Sequence, residues 1–586
     1  MGKNRGSRAF LRFSVSPFLY CFLLLLAIFI LFSGLDRPAF MDHEGRYAEV
    51  AREMLLSGDW VTPHLNFAVF LNKPPLPYWL TALTFLVTGL SEYARLWQAF
   101  VGMLVLVVTV WLGHTLAGRR AGLFAGVVLL SSGGFFLESR LLRPDLLLTL
   151  WLCLALVGVV KALSLFSSAT ASAAATRWII LSAASLGLSV LTKGMVGVVL
   201  AGGIIGGALL WSRRLAVVRQ VPWLLALGAF LLVVLPWHVL VGMRHDGFWW
   251  DYVVNQHLLF FFDQKFPRDS LPDSVPVFWG AFLGRTFPWV AFVPVAVWWA
   301  LARAWKTRAP QHVVPVVWLG VVLGFFTLSP SRLEHYTVPA LPAVALVLGS
   351  WWAALGEQEK VRFLVPIVCS GLIGVIGFFV LPMRLAMEEW AREFPVLLTS
   401  ARLVCGGLVL GAGLAGVVFW RGGTQADAKT LVAMACAAVP LFFYTHRALV
   451  EIEPVNSWKP IGMRLAALLP PDGEAVFAAS DEYQICGGLN FYSRKPLSIV
   501  LPDGYIPPTY LRLDGQAAFV TRADFAARWQ SLRPLLLVVD PEHSDADPEQ
   551  WIPPPRHEVG RWGLRRMFAN QALLDHTAHG AGQTQD

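Results

Sequence analysis

The polar residues of this chain gather where apolar runs end. Asp42, His43, Glu44, Arg46 and Tyr47 follow the first run, and Lys73 stands in "NKPPLPYW". Arg143 and Asp145 stand in "RLLRPD", Lys193 in "LTKG", His257 in "FWWDYVVNQH", and Arg332 and Tyr336 in "SPSRLEHYTV". Carboxylates can orient or take up a proton. Cations can hold a phosphate and stabilise charge that grows on it. Ionisable groups kept beside hydrocarbon are costly, so a set of them marks a candidate site, here one lined by both signs of charge.

The elements that must position these groups are membrane spans. Of 586 residues, 56% are apolar and 15% charged, the composition of a polytopic membrane protein and not of a soluble domain. Apolar segments of about 17–23 residues recur from Pro17 to Thr445, each long enough to cross a bilayer. The first, "PFLYCFLLLLAIFILFSGL", follows a basic "MGKNRGSR". No small-residue cleavage site comes after it, so it reads as a retained anchor. The net charge of +9 sits in short loops between the runs, as a topology signal does, and not in a nucleic-acid-binding patch. The six cysteines show no metal-like spacing and no disulfide framework.

With Lys3, Arg5, Arg8 and Arg12 in the cytoplasm, about 13 spans follow, and the basic loops at Arg119, Arg213 and Lys306 stay inside. Residues 35–95 then form an external loop in which Tyr78–Leu90 lies at the interface, being too short to cross. The residues named above all reach the outer membrane edge. Residues 1–446 read as the membrane domain. From 447 to 575 the chain turns soluble-like, with strand-like runs "AVFAAS", "LSIV", "AFVT" and "LLLVVD" beside helical "FAARWQSL". The expectation is therefore a polytopic α-helical membrane protein with a C-terminal extracytoplasmic α/β domain and a disordered tail over 576–586.

Within the external loop, Asp42 is placed to cap a helix starting at "HEGRYAEVAREML". Helical spacing puts Arg46 on the face of Asp42, and Tyr47 on that of His43. The prolines of "KPPLPYW" predict a stiff extended segment that presents Lys73. A capped amphipathic helix lying on the membrane, with Lys73 snorkelling, is the purely structural account.

The stretch "HEGRYAEVAREMLLSGDWVTPHLN…KPPLPYW" resembles the signature of polyprenyl-phosphate-dependent glycosyltransferases of the GT-C class. Within that class it is similar to the lipid A aminoarabinose transferases and their protein O-mannosyltransferase-like relatives. The blocks "LLRPDLLLTLWL", "LTKG", "PWHV…FWWDYVVNQH" and "SPSRLEHYTVPALP" follow in the family's order. The C-terminal region carries no such block. The resemblance implies transfer of a sugar from an undecaprenyl-type monophosphate carrier to an acceptor outside a bacterial inner membrane, such as lipid A, another glycolipid or a protein. It also implies a cytoplasmic N-terminus and an external C-terminal domain.

By the same resemblance, Lys73 and Lys193 hold the carrier phosphate with Arg46 in support. Arg332, at a family lysine position, and Tyr336 bind the same group. The family's essential acid falls on His43, with Asp42 one place earlier; either can take that role, Asp42 being favoured. Asp145 matches a second acidic position beside the phosphate. His257 matches a histidine that relatives pair with a glutamate at a metal site, whereas this chain has Asn72 at the glutamate position. A divalent cation is thus an open cofactor, and His257 can instead hydrogen-bond the phosphate. A secondary transporter of a lipid or amphiphile is the alternative, weakened by the absence of an internal repeat. A non-catalytic scaffold leaves the K-P-P and T-K-G blocks unexplained. Which sugar is moved, and to which acceptor, does not follow from these residues.

Overall fold

The structure, a computed structural model, describes residues 17–166, 172–268, 271–354, 360–387, 392–422, 426–478, 483–511, 518–540 and 548–582. Ten helices open the chain: α1 Pro17–Phe32, α2 Asp42–Ser57, α3 Leu76–Thr88, α4 Leu96–Ala117, α5 Arg119–Leu130, α6 Gly133–Glu138, α7 Pro144–Leu165, α8 Ser172–Lys193, α9 Val196–Trp211 and α10 Trp223–Arg244. Among the described residues, nine helices are long and apolar enough to cross a membrane. The protein is thus a multi-pass membrane protein, but the expected 13 spans are not reached by that measure. Four of the expected spans fold as shorter helices: α1, α5, α9 and Phe292–Thr307 have 12 to 16 residues. At 1.5 Å per residue they rise roughly 18–24 Å, less than the bilayer core. The 13-residue α3 is shorter than a span, as expected of an interfacial helix.

The α7–α8 hairpin packs on α4, and helix Leu341–Ala354 packs on α5. Trp289 and Trp351 meet Trp352 edge to face in the core of this bundle, and Phe292 lies tilted against it, centroids 5.3 Å apart. Trp352 Nε1 donates to the Asp427 carbonyl at 3.0 Å, so an indole buried in an apolar core still finds an acceptor.

Two local expectations change in the external loop. Asp42 is the first residue of α2 and not its cap; Met41 holds that place, and Glu44 reaches back to accept from the Met41 N–H at 3.0 Å. The reason is the buried Glu44–Arg95 pair (2.8 and 2.6 Å), which pins the first turn one residue earlier. The prolines after Lys73 do not stay extended either. Pro75 already has helical backbone and starts α3, a position where a missing N–H costs nothing.

The C-terminal region is a six-stranded sheet ordered β5-β4-β3-β6-β8-β7. The four expected runs form β3 (Glu474–Ala478), β4 (Leu497–Val500), β5 (Phe519–Val520) and β6 (Leu535–Val539), all parallel neighbours. The hairpin of β7 (His557–Trp562) and β8 (Arg565–Ala569) adds an antiparallel edge; β1 (His64–Leu65) and β2 (Ala68–Val69) form a small hairpin in the external loop. The tail expected to be disordered from 576 is instead helical: Gln571–Gly582 is one helix, its start held by Asn570 Oδ1, which accepts the Leu573 N–H at 3.1 Å. Residues 583–586 lie outside the described residues. The expected boundary at 446 falls inside helix Ala438–Glu451.

The sheet domain is interlocked with the external loop. Helix Gly487–Ser493 crosses α2 so closely that a Cβ on Gly45 would lie 2.4 Å from the Gly488 Cα, and one on Gly487 2.7 Å from the Arg46 Cα. Asn66, between β1 and β2, stitches the hairpin to β4: its side chain donates to the Leu497 carbonyl and accepts the Leu497 N–H, both at 2.8 Å. It thereby imitates one rung of a sheet ladder.

Candidate functional site

α7 begins and α8 ends at the same place, and two of the expected residues meet there. Lys193 Nζ lies 2.6 Å from Asp145 Oδ1, with the side chains 11% and 2% exposed. The ammonium also stands 4.3 Å from the ring centroid of the buried Tyr336. Pro144 at the first turn of α7 starts that helix, so Asp145 sits in the turn where a carboxylate is favoured by the helix dipole. Lys193 closes α8, where a cation is favoured.

The next residues turn back sharply. Gly194 has φ +79°, and a Cβ there would lie 2.3 Å from His257 Nε2. The absent side chain lets the Met195 N–H donate to His257 Nε2 at 2.9 Å, while His257 Nδ1 lies against the Tyr252 carbonyl. Burial lowers the His257 pKa, the Tyr252 carbonyl opposes this, and the nearby Lys73 lowers it further. The ring is therefore neutral, with its proton on Nδ1. Lys73 and Lys265 both approach the Phe260 ring, each ammonium 5.8 Å from the centroid. Asp251 completes this half of the site; burial raises its pKa despite the side chains of Asn255 and Gln256 and the two lysines.

The residues present do not fit a divalent cation. Both ring nitrogens of His257 are used. Asn72 donates to Gln484 at 2.8 Å and accepts from the Lys265 ammonium at 3.1 Å, so a cation already fills the place beside it. Among the described residues no three His, Cys, Asp or Glu side chains converge as ligands.

Arg46 and Tyr47 stay in contact on α2, the guanidinium 5.7 Å from the Tyr47 ring centroid. Arg46 donates to Gln484 Oε1 at 2.7 Å. Tyr47 is buried against Tyr78, ring centroids 5.5 Å apart, and its pKa is raised by that burial. His43 is exposed on the first turn of α2. The side chain of Asp42 lies outside the described residues. The Arg332 guanidinium donates to the carbonyls of Asp273 (3.0 Å), Phe326 and Thr327 (both 3.3 Å), closing the end of helix Pro310–Leu328.

Several participants are not predicted from the sequence. Gln484, from the sheet domain, accepts from both Arg46 and Asn72 and so joins that domain to the loop bearing Lys73. His335, beside Tyr336, has Nε2 3.9 Å from Asp145 Oδ2. Behind it Glu334 and Glu138 share Arg143 and Arg285, with Arg143 3.5 Å from Glu334 and 3.8 Å from Glu138. The run "RLEHY" at a helix start, rich in ionisable residues yet buried, was the available signal for His335. Gln484 had none, since a lone glutamine in a mixed segment looks like any other.

This fold defines a polytopic α-helical membrane protein with a C-terminal mixed sheet. Residues 22–251 match the family model described as dolichyl-phosphate-mannose-protein mannosyltransferase. The chain is 28% identical over 355 residues to an undecaprenyl phosphate-alpha-4-amino-4-deoxy-L-arabinose arabinosyl transferase of Aeromonas salmonicida, covering 59% of this chain and 62% of that protein. It spans less than two thirds of that relative's length. To the Pseudomonas aeruginosa (PAO1) protein of the same name it is 29% identical over 435 residues, covering 70% and 73% of the two chains. In structure it is similar to ArnT from Cupriavidus metallidurans bound to undecaprenyl phosphate, with a TM-score of 0.79, 24% identity, and 94% and 98% of the two chains covered. The chain is thus similar in sequence to proteins of the aminoarabinose transferase group and shares the fold of one solved member.

Proposed function

We propose that this protein is an integral-membrane glycosyltransferase that takes a sugar from a polyprenyl monophosphate carrier. It passes the sugar to an acceptor such as lipid A, another glycolipid or a protein. The reading rests above all on the pairing of Lys193 with Asp145 beside Tyr336, next to the Gly194–His257 contact and Lys73. Breaking the bond between the sugar and the carrier leaves its electrons on the phosphate. Two lysines flanking a neutral imidazole supply charge where that phosphate dianion forms. Asp145 positions the Lys193 ammonium. Asp42 or His43, at the start of α2, takes the acceptor proton when the acceptor is a hydroxyl; a phosphate acceptor is already ionised and needs only placing. The relatives' names support an undecaprenyl phosphate-aminoarabinose donor, and the apolar helices support a bacterial membrane location, read here as the inner membrane. On this reading α2 and the sheet domain face outward, and the N-terminus lies in the cytoplasm.

The test is turnover. Purified protein in lipid is given a panel of radiolabelled polyprenyl-phosphate sugars, and release of free polyprenyl phosphate is followed, with Asp42→Asn and His43→Asn alongside. Turnover lost in one variant identifies both the donor and the acidic residue. A folded protein that moves an amphiphile across vesicles without consuming any sugar-lipid is a transporter, and the proposal fails.

A further inference from the structure

A cavity of about 220 Å³ opens at the far end of α9 from the site, lined by Leu210, Trp211, Arg213, Trp305 and Arg308. That is room for more than a single water. From Met195 to Trp211 α9 rises about 24 Å, so this cavity is separate from the groups around Lys193 and His257. Two loops build it in the same way. In each, a tryptophan stands in the last turn of a helix and an arginine follows in left-handed backbone: Arg213 at φ 54° after α9, and Arg308 at φ 51° after Phe292–Thr307. The two indoles meet edge to face, centroids 6.3 Å apart. Leu210 and Trp305 are 64% and 77% exposed.

Arginines at helix C-termini are stabilised by the helix dipole, and basic loops set topology. Neither fact requires two of them, on different loops, to converge on one hollow. Among the described residues neither guanidinium has a hydrogen-bond or ion-pair partner. Two guanidiniums facing one space match a phosphodiester, whose oxygens accept forked N–H pairs. The tryptophans mark the headgroup level of a bilayer, and the exposed Leu210 and Trp305 offer apolar surface to glycerol and acyl chains. We propose that this cavity binds the headgroup phosphate of an anionic phospholipid, holding α9 against helix Phe292–Thr307 at the membrane surface.

The test uses the purified full chain in detergent, titrated with dioleoylphosphatidylglycerol, dioleoylphosphatidylcholine and inorganic phosphate, with native mass spectrometry and thermal melting as readouts. Arg213→Gln/Arg308→Gln is compared with Arg214→Gln/Lys306→Gln, which removes two charges from the same loops away from the cavity. Phosphatidylglycerol is expected to bind the wild type selectively. The cavity pair should lose about fivefold in affinity per cation, roughly 25-fold in all, and the control pair less than threefold. Equal losses in both pairs would mean diffuse surface charge and overturn the proposal. Equal binding of phosphatidylcholine would overturn it too. Equal stabilisation by inorganic phosphate would assign a free anion and overturn the lipid assignment.

Discussion

Consider removing the Lys193 charge by Lys193→Met. Its ammonium is 2.6 Å from Asp145, and both groups are almost wholly out of solvent. Deleting one partner leaves a buried carboxylate whose nearest remaining nitrogen is the His335 imidazole at 3.9 Å. Breaking such a pair costs about 3–5 kcal/mol. His335 and the neighbouring Arg143 offset part of this, so about 3 kcal/mol is expected, and Asp145→Asn should cost a similar amount. The double variant carries neither charge and should also cost about 3 kcal/mol instead of the additive 6, an interaction energy of about 3 kcal/mol. The assay is denaturant unfolding in detergent micelles for all four proteins, with release of polyprenyl phosphate measured beside it. All three variants should lose turnover, including the double variant that keeps more stability than the sum predicts. Additive losses, or a Lys193→Met cost under about 1 kcal/mol, would show that the two charges do not act as a pair.

Other outcomes follow from the same geometry. Gly194→Ala adds a methyl 2.3 Å from His257 Nε2 and about 1–2 kcal/mol of left-handed strain, so the melting temperature should fall and turnover vanish together. Glu53 is buried beside Glu49, and its pKa is pushed up from 4.5 to about 9, first by that burial. The folded state then binds a proton that the unfolded chain gives up above pH 4.5. Stability from this group is full at low pH and falls as pH rises from about 4.5 to 9. Glu53→Gln should flatten that slope in melting curves, whereas Glu49→Gln should destabilise at all pH values by stranding Arg52, now paired at 2.6 and 2.7 Å. Gln484→Ala should lower the melting temperature, at a cost of about 1–3 kcal/mol, and lose most turnover, read from radiolabel release, because Arg46 and the buried Asn72 lose a shared acceptor. Arg332→Lys should lower the melting temperature and leave the donor KM nearly unchanged, since one ammonium cannot serve three carbonyls.

The sequence made the membrane spans and the four parallel strands legible because both carry a local hydrophobic pattern. It also brought Asp145 and Lys193 to one end of the bundle, since each lies where an apolar run stops. What it could not show are pairings without a period. Glu44 with Arg95, Asn66 with Leu497, and Gln484 with Arg46 join residues separated by 51, 431 and 438 positions. Arg332 is a further case: its place in a family block implies a phosphate ligand, and nothing in that block foretells that its guanidinium donates to the open carbonyls of a helix end.

The three-glycine crossing of α2 and Gly487–Ser493 has a genetic consequence. Because the loop helix finds its packing and several hydrogen-bond partners only in the last quarter of the chain, a premature stop after residue 452 leaves every membrane helix encoded but α2 without its seat. Such alleles should behave as nulls, and recombination between relatives should succeed only when the segments around residues 41–72 and 483–497 are inherited from one parent.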